Sequence, residues 1–218
     1  MGWRSEVAGF DRIAADYEET ALADPAFALA AVHGWAIDEI ERRTPAPPGG
    51  RRSLVVDVGC GSGLLLETLA GRGLEVVGVE PSAGMRVAAA HRRPWLTILD
   101  GDLAAIPLPD ASVDGVVTTY AISHLARDEK PAAFAELIRV VRAGGAVVVA
   151  DVGVATVADL TEVAAALRAG GRETQLPFYA DGHALEIDAW EPWLRARLAD
   201  VAVARLSVLA WGLSGTRR

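Results

Sequence analysis

"VVDVGCGSG", residues 55–63, places glycines at 59, 61 and 63 directly behind an apolar run that ends in Asp57. A tight turn from strand to helix needs residues without Cβ. Such a turn also presents free backbone N–H groups at a helix N-terminus, where an anionic group is favoured. Several readings fit the run. A phosphate-binding P-loop needs Gly-Lys-Ser/Thr, and the lysine is missing. A dinucleotide site prefers G-x-G-x-x-G, whereas these glycines are spaced G-x-G-x-G. A third reading is S-adenosylmethionine, whose methionine carboxylate and ribose lie against such a loop. A merely tight turn with no ligand is the plain alternative.

Outward from this loop, strand and helix signals alternate. "SLVVDV" (53–58), "LEVVGVE" (74–80), "WLTILD" (95–100), "SVDGVVTTY" (112–120) and "AVVVADVG" (146–153) read as buried strands. Between or after them, "GLLLETLAGRG", "SAGMRVAAAHRR", "KPAAFAELIRVVRAGG" and "TVADLTEVAAALRAGG" read as helices. In the third of these, Phe134, Leu137, Ile138 and Val141 recur at helical spacing. Apolar strands alternating with helices predict a doubly wound, mostly parallel α/β sheet covered on both faces. Ligands of such sheets bind beyond the carboxyl ends of the strands. The glycine run lies at one of those ends.

Two acids occupy the next strand ends. A carboxylate at Glu80, in "VVGVEPS", can accept hydrogen bonds from both hydroxyls of a ribose. Asp102, in "LDGDLAAIPLPD", can accept from an adenine amino group while the Leu103 N–H donates to a ring nitrogen; by itself it would read as a solvated loop acid.

The chain resembles the class I S-adenosylmethionine-dependent methyltransferases, and within them the small ubiquinone/menaquinone-biosynthesis group. "VVDVGCGSG" matches the family's first motif and "VVGVEPSAGM" its second. "GDLAAIPLPDASVDGVV" matches the third and its continuation, and "ELIRVVRAGGAVVVAD" the last. The match covers residues 53–152, and "FDRIAADYEE" (10–19) is similar to the helix that caps the cofactor. The resemblance implies a Rossmann-like sheet ordered 3-2-1-4-5-7-6 with an antiparallel last strand. It implies S-adenosylmethionine held by Tyr17, Asp57, Gly59, Cys60, Gly61, Gly63, Glu80, Pro81, Met85, Asp102, Leu103 and Tyr120. It implies methyl transfer to a small-molecule acceptor. Use of the same cofactor for another reaction, or a binding subunit without turnover, are the alternatives. At the C-terminus, "VAVARLSVLAWGL" reads as one continuous apolar stretch with no turn, so the last strand pair is not expected from the residues themselves.

His124, in "TTYAISHLARDE", follows the fourth strand, where an acceptor would meet the donor methyl. With an ordinary pKa of about 6.5, a histidine there suits a general base, or else packs beside the cofactor. His33, His91 and His183 make no metal-ligand spacing with Cys60, so no metal is expected. Cys60 itself has no basic partner in sequence and reads as a small loop filler.

The linker "TPAPPGGRR" (44–52), whose prolines and glycines forbid helix and strand, divides a helical lid, 1–48, from the cofactor-binding domain, 49–218. In the lid, "DPAFALAAVHGWAIDEIERR" reads as a helix capped by Asp24 with Pro25 at its first position; Phe27, Ala30, Gly34 and Ile37 share a face. A lid-like insert spans 170–193; its Phe178, Tyr179, Trp190 and Trp193, with Tyr17, Phe27 and Trp35, could wall an acceptor site.

The chain has 218 residues, 51% of them hydrophobic, and a net charge of −8. The length and apolar content support a folded domain, and the charge argues against a nucleic-acid partner. No run approaches the ~18 apolar residues of a membrane span, and "MGWRSEVAGF" is neither a signal peptide nor, with Glu6, a myristoylation site. A lone cysteine suits a reducing, cytoplasmic setting, and a monomer or homodimer is expected.

Overall fold

The structure, a computed structural model, describes residues 3–23, 28–44 and 46–218. The chain begins with α1 (Trp3–Ile13), α2 (Tyr17–Ala23) and α3 (Leu29–Arg43), followed by β1 (Leu54–Val58), α4 (Leu64–Gly71), β2 (Glu75–Val79), α5 (Ala83–Arg92), β3 (Ile98–Leu99) and β4 (Val113–Thr119). It continues with α6 (Lys130–Val140), β5 (Val141–Val154), α7 (Leu160–Ala169), α8 (Leu176–Ala180), β6 (Leu185–Glu186), α9 (Ile187–Arg195), β7 (Leu198–Arg205) and β8 (Ala210–Arg217).

The central sheet runs β3-β2-β1-β4-β5-β8-β7, with β6 attached to the end of β5. The first five strands in that order are parallel; β8 is antiparallel to both β5 and β7. Successive side chains of a strand face opposite sides, and each side has its own apolar layer. Val56, Val58, Val116 and Val147 pack with Phe134, Leu137 and Trp190 from α6 and α9. Val55, Val117, Ala146 and Val148 pack with Ile37 and Ile40 of α3 and Leu65 and Leu69 of α4. Lys130, the only lysine, is fully buried. Its ammonium donates to the carbonyls of Gly182 (2.7 Å) and Ala184 (3.1 Å), tying the segment before β6 to α6.

Four expectations are corrected. The C-terminal stretch is a hairpin after all. Its turn lacks glycine and proline because Ser207 builds it: Ser207 Oγ accepts from the Leu209 N–H (3.1 Å), and the Leu206 and Ser207 N–H groups donate to Ala210 O. The helix expected over 130–145 stops at Val140. Val141 instead pairs with Val113, and the register shifts before Gly115 meets Ala146. Asp114 holds this corner, accepting from Arg51, Arg142 and the Leu54 N–H. The linker is not free of helix, since Pro48–Gly50 forms one 3-10 turn.

The fourth correction concerns α3. It buries Val32, Ala36, Ile37 and Ile40, and Ala30 is exposed. The branched side chains take the core face, so the stripe lies about one position away from the one the sequence suggested. α3 lies against β4, β5 and β8. The expected helix start at Asp24 and Pro25, together with Phe27, lies outside the described residues.

Candidate cofactor-binding site

A cavity of about 750 Å³, partly open to solvent, lies at the carboxyl ends of β1, β2 and β4. The sequence around it explains its shape. After β1 the chain turns sharply with Gly59 at φ +77° and Gly61 at φ +54°. A Cβ on Gly59 would sit 2.5 Å from the Ala121 side chain, so only glycine fits there. A Cβ on Gly61 would meet only the Tyr17 ring, at 3.9 Å. The backbone at Gly61 is therefore laid bare towards the cavity.

Glu80 at the end of β2 is 6% exposed. Its carboxylate accepts from the Gly61 N–H and from the Ser82 N–H, both at 2.8 Å. Burial pushes its pKa up, and these two hydrogen bonds hold it back. The Pro81 and Met85 side chains line the same wall. Opposite chemistry comes from Asp102 and Leu103: Asp102 Oδ1 caps its own loop, accepting from the Ala104 (2.7 Å) and Ala105 (3.0 Å) N–H groups.

Beyond β4, Tyr120 lies in left-handed backbone at φ 53°, a strained conformation of the kind found at ligand sites. His124 closes a 3-10 turn, Ile122–His124. Buried Asp151 fixes that turn by accepting from the Ser123 N–H at 3.0 Å. The His124 ring stands edge-on to Phe10 at 5.0 Å, and Phe10 in turn meets Tyr17 at 6.1 Å.

Phe10 and Tyr17 belong to α1 and α2, which are fastened over the cavity by both ends of α5. Asp11 accepts from Ser82 Oγ (2.6 Å) and the Gly84 N–H (2.8 Å). At the other end Arg93 pairs with Glu18 at 2.5 Å, and Arg92 donates to Ala15 O at 2.7 Å.

A second cavity of about 460 Å³ abuts the first, sharing Tyr17, Gly59, Gly61, Thr119 and Tyr120. Asp57 and Cys60 line it. Burial pushes the Cys60 thiol well up, which fits an inert filler under Gly78. Asp57 is 1% exposed, its Oδ1 has no hydrogen-bond partner, and burial with the neighbouring Glu80 charge raises its pKa to about 8.

That shift predicts a pH dependence. Between the ordinary carboxylate value and about 8, the folded protein keeps a proton that the unfolded chain releases, so stability falls as pH rises through this window. Asp57→Asn removes the titrating group. Thermal melts at intervals from pH 5 to 8 should show a declining Tm in the parent and a flatter one in the variant. Parallel profiles would show that Asp57 ionises normally.

Of the residues singled out in sequence, nine line the first cavity: Tyr17, Gly59, Gly61, Glu80, Pro81, Met85, Asp102, Leu103 and Tyr120; His124 joins them. Gly63 is apart, capping α4 against Leu96. Phe178, Tyr179, Trp190, Trp193 and Trp35 line neither cavity and pack into the apolar layers. Sequence reasoning passed over Phe10 and His33, which do line the cavities. Phe10 opens the quoted "FDRIAADYEE" stretch; His33 carries no local signal, because only the placement of α3 brings it near Asp57. Among the described residues no cluster of three or more His, Cys, Asp or Glu could hold a metal ion, and no helix is long and apolar enough to cross a membrane.

Comparison with known proteins places this architecture. Residues 56–149 match the family model described as a methyltransferase domain. A methyltransferase of Geobacillus thermodenitrificans is 40% identical over 99 residues, covering 45% of this chain and 46% of that protein. The demethylmenaquinone methyltransferase of Renibacterium salmoninarum is 38% identical over 106 residues, covering 49% and 43%. The chain thus spans about half the length of the curated relatives it matches. The structure of an S-adenosylmethionine-dependent methyltransferase of Thermotoga maritima, described as a possible histamine N-methyltransferase, superposes with a TM-score of 0.65 at 20% identity, covering 96% of this chain and 98% of that one. At that identity the likeness is one of fold.

Over residues 56–149 the chain is similar to the methyltransferase domain family, and its fold is that of S-adenosylmethionine-dependent methyltransferases. S-adenosylmethionine is the cofactor that this family implies, and the site fits it: a bare glycine turn, a buried carboxylate pinned by backbone N–H groups, and an unpartnered buried oxygen at Asp57.

Proposed function

We propose that the chain transfers the methyl group of S-adenosylmethionine to a small-molecule acceptor. The observation that carries this reading is Glu80. It is a buried carboxylate at a strand end, linked to the bare Gly61 backbone, inside a cavity covered by α1 and α2. In this reading Glu80 accepts from the ribose hydroxyls and Asp102 with the Leu103 N–H reads the adenine, flanked by Pro81 and Met85. The glycine turn and Asp57 receive the amino-acid end, and Tyr17 and Tyr120 line the path to the acceptor.

When bound, the cofactor supplies a sulfonium methyl group that is already reactive. The protein's task is then chiefly positioning, which can supply roughly 7–11 kcal/mol of a barrier. α1 and α2 serve as a lid that excludes water. His124 is the candidate base for an acceptor that must lose a proton. A small acceptor agrees with the covered cavities and with a net charge of −8, which disfavours nucleic acid.

Glu80→Ala should weaken binding of S-adenosylhomocysteine by about 100-fold, and Asp102→Ala by about tenfold, from the worth of charge-assisted hydrogen bonds. Glu80 brings two oxygens and also pins Gly61, whereas Asp102 Oδ1 is already shared by two N–H groups. Calorimetry that found both variants binding as the parent does would refute the cofactor placement.

The proposed activity is tested by incubating the chain with S-adenosylmethionine and fractionated metabolite extracts. Acceptor-dependent release of S-adenosylhomocysteine, with a product heavier by one methyl group, is expected. Cofactor recovered unchanged from every fraction would point to a binding subunit. A new product without methyl gain would point to another reaction, such as a cyclisation.

A further inference from the structure

The part of the first cavity that the cofactor leaves over has a composition of its own. Phe10, Tyr17 and Tyr120 give it three rings, beside Val7 and Leu125. Burial pushes both phenols up, so the rings carry no charge. Glu80 and Asp102 also line the cavity, and among its described lining residues there is no arginine and no lysine. A further carboxylate, Asp151, is buried behind the turn that carries His124. The cations around the site are committed elsewhere. Arg86 donates to the Glu80 and Pro81 carbonyls and to Asp100. Arg93 pairs with Glu18, and the Lys130 ammonium is turned to the carbonyls of Gly182 and Ala184.

S-adenosylmethionine carries one net positive charge, its sulfonium, because its ammonium and carboxylate cancel. That charge offsets one of the two lining carboxylates and leaves the other uncompensated. An acceptor bearing a carboxylate, phosphate or sulfate would meet like charge here with no cation to pair it, and an unpaired buried charge is costly. An ammonium group meets the opposite: a carboxylate field and the negative faces of neutral rings. A hydroxyl acceptor gains from neither.

We infer that the acceptor is an amine carried on an apolar body, methylated at its nitrogen. This rests on the methyl-transfer reading above and names the acceptor class of that site. The amine enters as its ammonium form, and His124 takes one proton from it. The nitrogen lone pair so freed forms the new N–C bond as the S–C bond breaks, and the electrons of the broken bond stay on sulfur. The products are the N-methylated ammonium ion and S-adenosylhomocysteine, and the proton on His124 passes to solvent.

The test titrates the whole chain, saturated with S-adenosylhomocysteine, with three probes that share one body. 2-Phenylethylamine is cationic at pH 7, 2-phenylethanol neutral and 3-phenylpropanoate anionic. The amine should bind about tenfold tighter than the alcohol, the worth of a cation over aromatic rings, and the carboxylate should give no saturable heat. Phe10→Leu keeps an apolar side chain and removes a ring. It should cut the preference for the amine about threefold or more and leave the alcohol within about twofold, which also shows that the variant is folded. In parallel, a metabolite extract is split by ion exchange before incubation with S-adenosylmethionine. Release of S-adenosylhomocysteine should follow the fraction retained as cations, with the methyl group recovered on nitrogen. This second measurement decides the matter if none of the three probes binds. Preference for the alcohol or the carboxylate, equal binding of all three, or turnover with the neutral or anionic fraction overturns the amine class and leaves methyl transfer standing. If the chain does not bind S-adenosylhomocysteine, or no fraction supports its release, the methyl-transfer reading falls and the amine class with it.

Discussion

Gly61→Val is expected to abolish detectable binding of S-adenosylhomocysteine, a loss of about 10³-fold or more, or roughly 4 kcal/mol. The protein itself leaves a Cβ free of close contact here, the nearest atom being on Tyr17 at 3.9 Å. What the branched side chain takes up is the space of the ligand. The fold suffers only the strain of a left-handed residue, about 1–2 kcal/mol, at φ +54°. The variant should therefore melt a few degrees lower and remain folded. Gly59→Val makes the contrast: its Cβ would lie 2.5 Å from Ala121, so this variant should fail in the fold before the ligand is added. Equal affinity of parent and folded Gly61→Val would place the ligand elsewhere.

His124→Ala is expected to lower turnover by roughly 10²–10⁴-fold, the usual worth of a positioned acid or base. The ring is held where such a group is useful. Its 3-10 turn is tied to Asp151 through Ser123, and Phe10 from α1 stands edge-on to it at 5.0 Å. Its charge also offsets part of the upward push that burial exerts on Glu80 and Asp151. Turnover of the true acceptor and affinity for S-adenosylhomocysteine must be measured separately. If His124 is the base, turnover falls, affinity stays within a few-fold, and the acidic limb of the pH–rate profile is lost. If the ring only packs against Phe10, affinity and Tm fall together and turnover at saturation is kept.

The parts of the site that were legible in the sequence are those written as local punctuation at strand ends. The glycine turn, Glu80 and Asp102 each follow a valine- or leucine-rich run, and the parallel sheet gathers such ends on one edge. What was not legible depends on long-range packing. Ser207 builds a hairpin turn that carries no glycine or proline, so "VAVARLSVLAWGL" looked continuous. Val141 fitted the helical period, yet its pairing with Val113 makes it the start of β5. The aromatics of 178–193 looked like a wall for an acceptor. Phe134 and the side chains around Val163 and Leu167 draw them into the apolar layers instead. His33 became visible as a cavity residue only once α3 was placed beside the sheet, where it lines the same cavity as Asp57, Thr119 and Tyr120.

The most direct test of the central claim is a calorimetric titration of the chain with S-adenosylhomocysteine, run beside the same titration with NADH. Saturable binding of S-adenosylhomocysteine at one site per chain, with no heat from NADH, is the predicted result. NADH binding with no response to S-adenosylhomocysteine would contradict the assignment of this cavity.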